Sequence, residues 1–510
     1  MKIFCSTALA LTFSTCLFAQ DPIQKKYAAL ITAEDAKKHL SIIASDAFEG
    51  RETGKPGAMM AANYIAAEFK RLGLQAPVNG SYFLDVPLVG KSFDVKSLTV
   101  NGNAFAYRKD FNVSSVSGPT GDKTIAVNEV MFLSHKPGGD PAAELGNTDI
   151  KGKAVFIISD GETPQNSAKR ILFLRSKNPL LIINCSANIG GNSRGGAGNA
   201  MRLSIKEDKP APVAAPVLTI TTEVGNQVFA NSGETFETFK ASADADGMQP
   251  NQAIKTDLSL VVSTVSTDVK AVDVLGFLPG TDLKDEVLVF SAHYDHIGLT
   301  TSGTDKVNNG ADDDGSGTTG ILEIARAFAQ AKKDGHGPRR SILFLANVGE
   351  EKGLLGSEYY TSHPVFPLEK TVTDLNIDMI GRVGFDMIGK PDSLNYVYVI
   401  GSSMLSTDLH KITEKVNSTY THMVLDYKYD DLNDPNRFYY RSDHYNFAKH
   451  GVPIIFYFDG VHADYHKPSD EVDKIGFPML AKRAQLVFYT GWDIANRDKR
   501  PVVDGNTGKQ

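Results

Sequence analysis

The sequence predicts an α/β protein, a mixed, mainly parallel sheet flanked by helices and interrupted by a small β-rich α/β segment. Three observations predict it. Apolar runs at Val287–Ala292, Ser341–Val348 and Val452–Phe458 alternate with helical patterns at Thr318–Lys332 and Met479–Ala495, the signature of parallel strands joined by helices. From about Val127 to Lys240 the segments shorten, and Gly and Pro separate them. His293 and Glu350 each follow an apolar strand closely, which is where an α/β sheet places its ligands.

The bounds agree with this class. The 510 residues suffice for two or three domains with real cores. Hydrophobic residues make up 42% and the net charge is -7, with no long basic run, which argues against nucleic acid as a partner. Met1 to Gln20 reads as a secretory signal: Lys2 opens it, Ala8 to Phe18 is mostly apolar, and Ala19 offers a cleavage point. The apolar run is shorter than the ~20 residues of a membrane span. Cys16 raises a lipoprotein reading, but Phe13-Ser14-Thr15 is a poor lead-in. The protein is therefore expected to be exported, periplasmic or extracellular, with no stable membrane span. Cleavage after Ala19 leaves Cys185 alone, which excludes an internal disulfide and a multi-cysteine metal site.

In chain order, Ala33 to Leu74 reads as two helices, with Tyr64, Ile65, Phe69 and Leu72 near one face and Gly73 as a stop. The connection S-D-A-F-E-G-R-E-T-G, residues 45–54, reads as packing or loop. Phe83 to Val113 is strand-like. Ala154–Ile158, Leu180–Asn184 and Val217–Thr221 look like buried strands, and the glycine-rich Gly190 to Gly198 lacks a phosphate-binding context and reads as a mobile loop. Leu258–Val265, Val272–Leu278, Asn376–Ile380 and Tyr396–Ile400 are further strands.

The chemistry gathers around Asn308 to Gly320, N-N-G-A-D-D-D-G-S-G-T-T-G. Consecutive carboxylates repel, so a fold that collects them needs positive charge, and a divalent cation supplies it. The spacing is not that of a calcium EF-hand loop. H-Y-D-H at 293–296, Glu350-Glu351, Asp378 and His466 accompany it. Imidazoles with carboxylates suit zinc better than calcium. A lone His is more often structural and an acidic pair is usually a solvated face; their ordered recurrence near strand ends is what carries the reading.

These residues lie in blocks that carry a family resemblance: S-A-H-Y-D-H-I-G, G-A-D-D-D-G-S-G, G-E-E-K-G-L-L-G-S, N-I-D-M-I-G-R, R-S-D-H-Y-N-F-A-K-H-G-V-P and Y-H-K-P-S-D. In this order, over roughly Val272 to Ile475, they resemble the secreted co-catalytic dizinc aminopeptidases, the clan MH zinc exopeptidases that include aminopeptidase Y and the bacterial leucine aminopeptidases. The middle segment, notably G-N-T-D-I-K-G-K-A-V-F-I-I, more weakly resembles an inserted protease-associated domain. The implied map is a signal peptide at 1–19, the N-terminal part of the peptidase domain at 20–120, the insert at 121–255 and the catalytic domain at 256–510.

Carried over residue by residue, the resemblance implies two Zn2+ per chain, bridged by Asp313. His293 and Asp378 complete one position, Glu351 and His466 the other, leaving each open for catalysis. Asp295 would orient His293, and the peptide after Asp313 would be cis. Glu350 is the implied general base for a water activated by the two ions. Tyr465 would help hold the oxyanion, with pocket-wall packing as its alternative, and Arg441 would contact substrate. His296, His444 and His462 receive no ligand role, because the five-ligand set is complete without them. The implied activity is removal of N-terminal residues from peptides. The rivals are a carboxypeptidase or dipeptidase on the same fold, a one-zinc glutaminyl cyclase and a non-catalytic receptor-like relative.

Overall fold

A computed structural model describes residues 20–505, apart from 115, 117–119, 135, 188, 190–200, 207–213, 234 and 236–250. The signal segment at 1–19 and the glycine-rich loop at 190–198 lie outside the described residues. The chain divides into two compact units, Met1–Pro87 with Lys270–Gln510, and Leu88–Val269. The composition changes further inside, near 121 and 255. Two long strands, Phe83–Val100 and Gln252–Leu278, run through the borders at 88 and 269 without a break, so neither border falls in a loop.

In the first unit the strands lie in the order Val424–Asp426, Tyr396–Ile400, Ile454–Phe458, Thr371–Ile377, Leu283–His293, Arg340–Asn347 and the end of Gln252–Leu278. The four central strands are mutually parallel; Tyr396–Ile400 runs antiparallel to Ile454–Phe458 but parallel to Val424–Asp426, and the last strand runs antiparallel to Arg340–Asn347. The sheet is thus mixed and mainly parallel, as predicted. Side chains alternate between its faces. Val287 and Val289 enter one core with Leu343, Leu345, Tyr360 and Phe447. Phe290 instead stacks on Phe344, with ring centroids 5.4 Å apart, and meets Phe328, which packs on Phe488 and Trp492.

The helix Gly315–Lys333 carries Ile321, Ile324, Ala325 and Phe328 buried, as its periodicity predicts. Each such side chain removed from water contributes up to about 1.5–3 kcal/mol. It starts three residues earlier than its apolar pattern, because Asp314 accepts from Gly317 N and caps it. Ala33–Ile43 and Pro56–Leu72 form the two expected N-terminal helices. The strand expected over Asn376–Ile380 is Thr371–Ile377 instead. It stops at Ile377, and Met379 takes a φ of 61°, which ends the pleat and turns Asp378 out of the sheet.

In Leu88–Val269 the strand order runs from the first part of Gln252–Leu278 through Gly121–Phe132, Ala154–Ile158, Leu181–Cys185 and Val217–Ile220 to Phe111–Ser114. Its inner pairs are parallel and its outermost pairs antiparallel. Phe111, Phe132, Phe156 and Phe229 fill one core, with Phe156 edge-on to Phe229 at 5.3 Å. Among the described residues no helix is long and apolar enough to cross a membrane.

Candidate active site

Three adjacent parallel strands deliver the site. His293 is the last residue of Leu283–His293, Glu350 follows Arg340–Asn347, and Asp378 follows Thr371–Ile377. The register pairs His293 with Asn347 and Ser291 with Asn376, so all three ends are level. Asp313 arrives on the loop before Gly315–Lys333, and Thr318 Oγ1 ties that helix to the carbonyl of His293 at 2.7 Å. His466 comes from the segment after Ile454–Phe458. Glu350 and Glu351 occupy a short 3-10 turn between Gly349 and Gly353, whose φ values of 75° and 107° bend the chain sharply on both sides. That turn lets two neighbouring carboxylates point to different partners.

The five expected ligands converge. His293 Nε2 lies 3.4 Å from Asp313 Oδ1 and 3.6 Å from Asp378 Oδ1. His466 Nε2 lies 3.0 Å from Asp313 Oδ2 and 3.1 Å from Glu351 Oε2. Asp313 therefore turns one oxygen to each side. Asp314 also falls close to His293 and Asp378, but its oxygens are taken by the backbone N–H groups of His293, Gly317 and Met379. It is scaffold, and Asp313 is the better donor. The Asp313–Asp314 peptide is cis.

Glu350 Oε2 sits 3.8 Å from His293 Nε2. Asp295 is fully buried and holds His293 differently from the expectation. Its backbone carbonyl accepts from His293 Nδ1 at 3.0 Å, while its carboxylate stands 3.7 Å away. The carboxylate instead accepts from Glu350 N at 3.2 Å and from Thr53 Oγ1 at 2.5 Å. With Nδ1 donating to that carbonyl, Nε2 is the nitrogen left to face the carboxylates. Tyr465 stacks on His466 with ring centroids 3.9 Å apart, and the exposed Arg441 donates to its hydroxyl at 3.3 Å. A pocket of about 340 Å³ opens beside the cluster. Asp313, Glu350 and Asp378 line it together with Arg441, Tyr465 and an apolar wall that includes Phe438, Phe456 and Phe458.

Burial disfavours the His293 imidazolium, but Glu350, Asp378 and Asp313 outweigh it and hold its pKa well above the usual value. His466 is likewise opposed by burial and raised to about 10 by Asp313 and Glu351. Burial pushes Glu350 well above the ordinary carboxylate range, against the pull of His293. Asp313, despite its burial, is held well below that range by His293 and His466. Protons on imidazoles are thus the charge that balances this cluster. Among the described residues no Lys or Arg forms an ion pair with Asp313, Glu350, Glu351 or Asp378. Asp313 Oδ2 and Glu351 Oε1 are buried without a hydrogen-bond partner. Unpaired oxygens beside imidazole nitrogens fit divalent zinc.

Several residues that hold the site were not assigned a role from the sequence. Arg51 is fully buried and donates to the carbonyls of Tyr294, Ile43, Asn309 and Gly310, fastening the His293 and Asp313 loops together. Thr53 reaches Asp295. Both stand in the stretch read as packing or loop, whose G-R-E-T-G held the only signal. Asp470, the last residue of the Y-H-K-P-S-D block, accepts from Asp312 N and Asp313 N at 3.0 and 3.1 Å. His462 lies behind the site, 3.2 Å from Asp312 Oδ2. His444 is buried on Tyr439 O, away from the ligand set. His296, by contrast, stands inside it, with Nδ1 2.9 Å from Glu351 Oε1.

Comparison with known proteins agrees with this geometry. Residues 273–491 match the sequence profile of Peptidase family M28. A probable leucine aminopeptidase of Trichophyton verrucosum is 29% identical over 240 residues, 46% of this chain and 60% of that protein. Aminopeptidase YwaD of Bacillus subtilis is 26% identical over 266 residues, 50% of this chain and 51% of that protein. The match thus spans only about half to three-fifths of these relatives' own length. The solved aminopeptidase from Aneurinibacillus sp. strain AM-1 shares the fold, with a TM-score of 0.55 at 18% identity, covering 95% of this chain and 98% of that one. The stretch that matches Peptidase family M28, residues 273–491, holds every predicted ligand.

Proposed function

We propose that the protein is an exported metal-dependent aminopeptidase that removes N-terminal residues from peptides. The observation that carries this reading is the cluster of buried Asp313 and Asp378 with half-buried Glu350 and Glu351, balanced by imidazoles alone at the carboxyl ends of three parallel strands. His293, Asp313 and Asp378 would hold one zinc ion, and Asp313, Glu351 and His466 a second. When bound, two such ions lower the pKa of water and polarise the scissile carbonyl.

The chain's own groups supply the remaining chemistry. Glu350 is fixed through its backbone N–H to Asp295 and faces the pocket. Its carboxylate accepts the proton of the attacking water and returns it to the leaving amine. Burial that raises its proton affinity suits it to hold that proton between the two steps. Tyr465 offers a hydroxyl toward the developing oxyanion, and Arg441 steadies that hydroxyl from outside. The concentration of carboxylates draws the free α-ammonium of a peptide into the pocket. The aromatic wall receives the side chain that follows it. The Leu88–Val269 unit is read as the inserted protease-associated module.

Three alternatives remain as outcomes of one test. A carboxypeptidase or dipeptidase would use the same ligands, a one-zinc glutaminyl cyclase would leave one position unused, and a receptor-like relative would be inert. The test is release of a chromogenic leaving group from free aminoacyl substrates and their N-acetyl counterparts, before and after chelation and zinc restoration. Cleavage of the free-amine substrates alone, lost on chelation and restored by zinc, is expected. Silence of the zinc-loaded protein on the whole panel, with turnover of C-terminal, dipeptide or N-terminal Gln substrates, overturns the reading.

A further inference from the structure

His296 closes the H-Y-D-H block and is fully buried. Its position is fixed from several directions. Its backbone N–H donates to the carbonyl of Arg51 at 3.2 Å, and its ring stands edge-on to His466 with centroids 5.7 Å apart. A Cβ on Gly310 would lie 2.6 Å from its Cδ2, so only glycine there leaves the ring its place.

The ring nitrogens are the anomaly. A neutral imidazole carries one N–H and one lone pair, and a buried one ordinarily satisfies at least one of them. Both nitrogens of His296 lack a hydrogen-bond partner. Nδ1 lies 2.9 Å from Glu351 Oε1 and 3.8 Å from Asp313 Oδ2, and those two oxygens also lack partners. The 2.9 Å approach to Glu351 Oε1 leaves both atoms without a hydrogen bond of ordinary geometry. The three residues meet within 4.8 Å. Three donor atoms from three residues thus converge as the ligands of a single ion do. His444, equally buried, shows the contrast: its Nε2 donates to Tyr439 O at 2.8 Å.

We propose that His296 contributes Nδ1 as a further ligand at the metal position of Asp313, Glu351 and His466. The inference rests on the dimetal reading of the site. It gives that position a ligand from the protein interior. His466 is 37% exposed and comes from the solvent side, so a position held by His466 alone loses its imidazole whenever that segment moves. His296, locked between Gly310 and Arg51, does not move with it. A second neutral nitrogen also makes this position softer than its neighbour, where His293 is the single imidazole, and favours zinc there over a hard cation.

The test uses the full mature chain loaded with zinc, or with Co2+ as a spectroscopic probe. Wild type is expected to hold two ions per chain by elemental analysis; fewer would remove the dimetal reading itself, independently of His296. In His296→Ala and His296→Gln the weaker ion should be displaced by a competing chelator with an affinity loss above about 100-fold, beyond the 10–100-fold of a residue that merely orients a ligand. The Co2+ absorption of that position should change, and the ion at His293 and Asp378 should be retained. His296→Gln keeps a polar group and serves where His296→Ala fails to fold, with far-UV circular dichroism as the control. An affinity loss within the 10–100-fold range, or an unchanged Co2+ spectrum in either folded variant, overturns the proposal.

Discussion

Residues 88–269 and the peptidase unit both line up parallel strands and close them with helices, yet they bury charge in opposite ways. In the first, Arg170 is nearly inaccessible and reaches two carboxylates, Glu144 and Glu162, as well as the carbonyl of Lys136. Every charge in that group faces an opposite one. In the second, four carboxylates meet around Asp313 and find only imidazoles. The first arrangement completes itself. The second is costly as it stands, because buried like charges repel and desolvation adds to the penalty. A fold keeps such a cluster where an external cation, not another side chain, completes it. The site is therefore distinguished by how its charges are left, more than by how many it has.

Replacing Glu350 separates the two kinds of carboxylate inside the cluster and is expected to have the largest effect. Glu350→Gln keeps the shape but cannot accept a proton. Turnover should fall by about 10²–10⁴, the range for a lost general base, while elemental analysis still finds the wild-type metal content. A loss of metal together with activity would instead class Glu350 with the ligands, and near-normal turnover would remove it from the mechanism.

Arg170→Met breaks the other half of the comparison. It leaves Glu144 and Glu162 buried without their cation, and removing one partner of a buried pair costs about 3–5 kcal/mol. Urea unfolding should register that loss, and the metal content of the protein should be unchanged. A stability change within experimental error would mean that Glu144 and Glu162 find water or protons without strain, and the contrast between the two regions would lose its energetic basis.

The same contrast explains what the sequence made legible. Strand and helix positions in the peptidase unit followed from period and apolarity, since Leu283–His293, Arg340–Asn347 and Gly315–Lys333 are buried almost throughout. The candidate ligands were legible because they stand in motif blocks, most of them just after apolar strands. The residues that hold the ligands were not. Arg51 works through four backbone carbonyls on three segments that lie far apart in sequence, and no spacing rule connects them. Asp295 acts on His293 through its carbonyl, a group every residue carries, so its side chain pointed to the right neighbour for a partly wrong reason. His296 was set aside because five ligands already sufficed; only burial and two unpartnered nitrogens mark it out. The unit borders at 88 and 269 fall inside continuous strands, where no break in the strand pattern marks them.

The smallest expected effect carries the comparison down to single imidazoles. His466 sits among carboxylates and its pKa rises to about 10. His444 sits among aromatic rings, stacked on Phe456 at 4.6 Å, and burial lowers its pKa to about 3, only partly offset by its bond to Tyr439 O. Because its folded pKa lies below the unfolded value of about 6.5, the unfolded chain takes up the proton first. Stability from this group is complete above pH 6.5 and is lost as pH falls toward 3, by up to about 1.4 kcal/mol per pH unit. His444→Gln retains a donor for Tyr439 O but cannot titrate. Between pH 6.5 and 5 the wild type should lose about 2 kcal/mol more than the variant, measured as the difference between their denaturant-unfolding free energies. The pairing isolates His444, since every other titrating group is common to both chains. Parallel curves would mean that the fold admits a proton at His444, and that burial without a carboxylate partner is not what separates the silent histidines from those of the site.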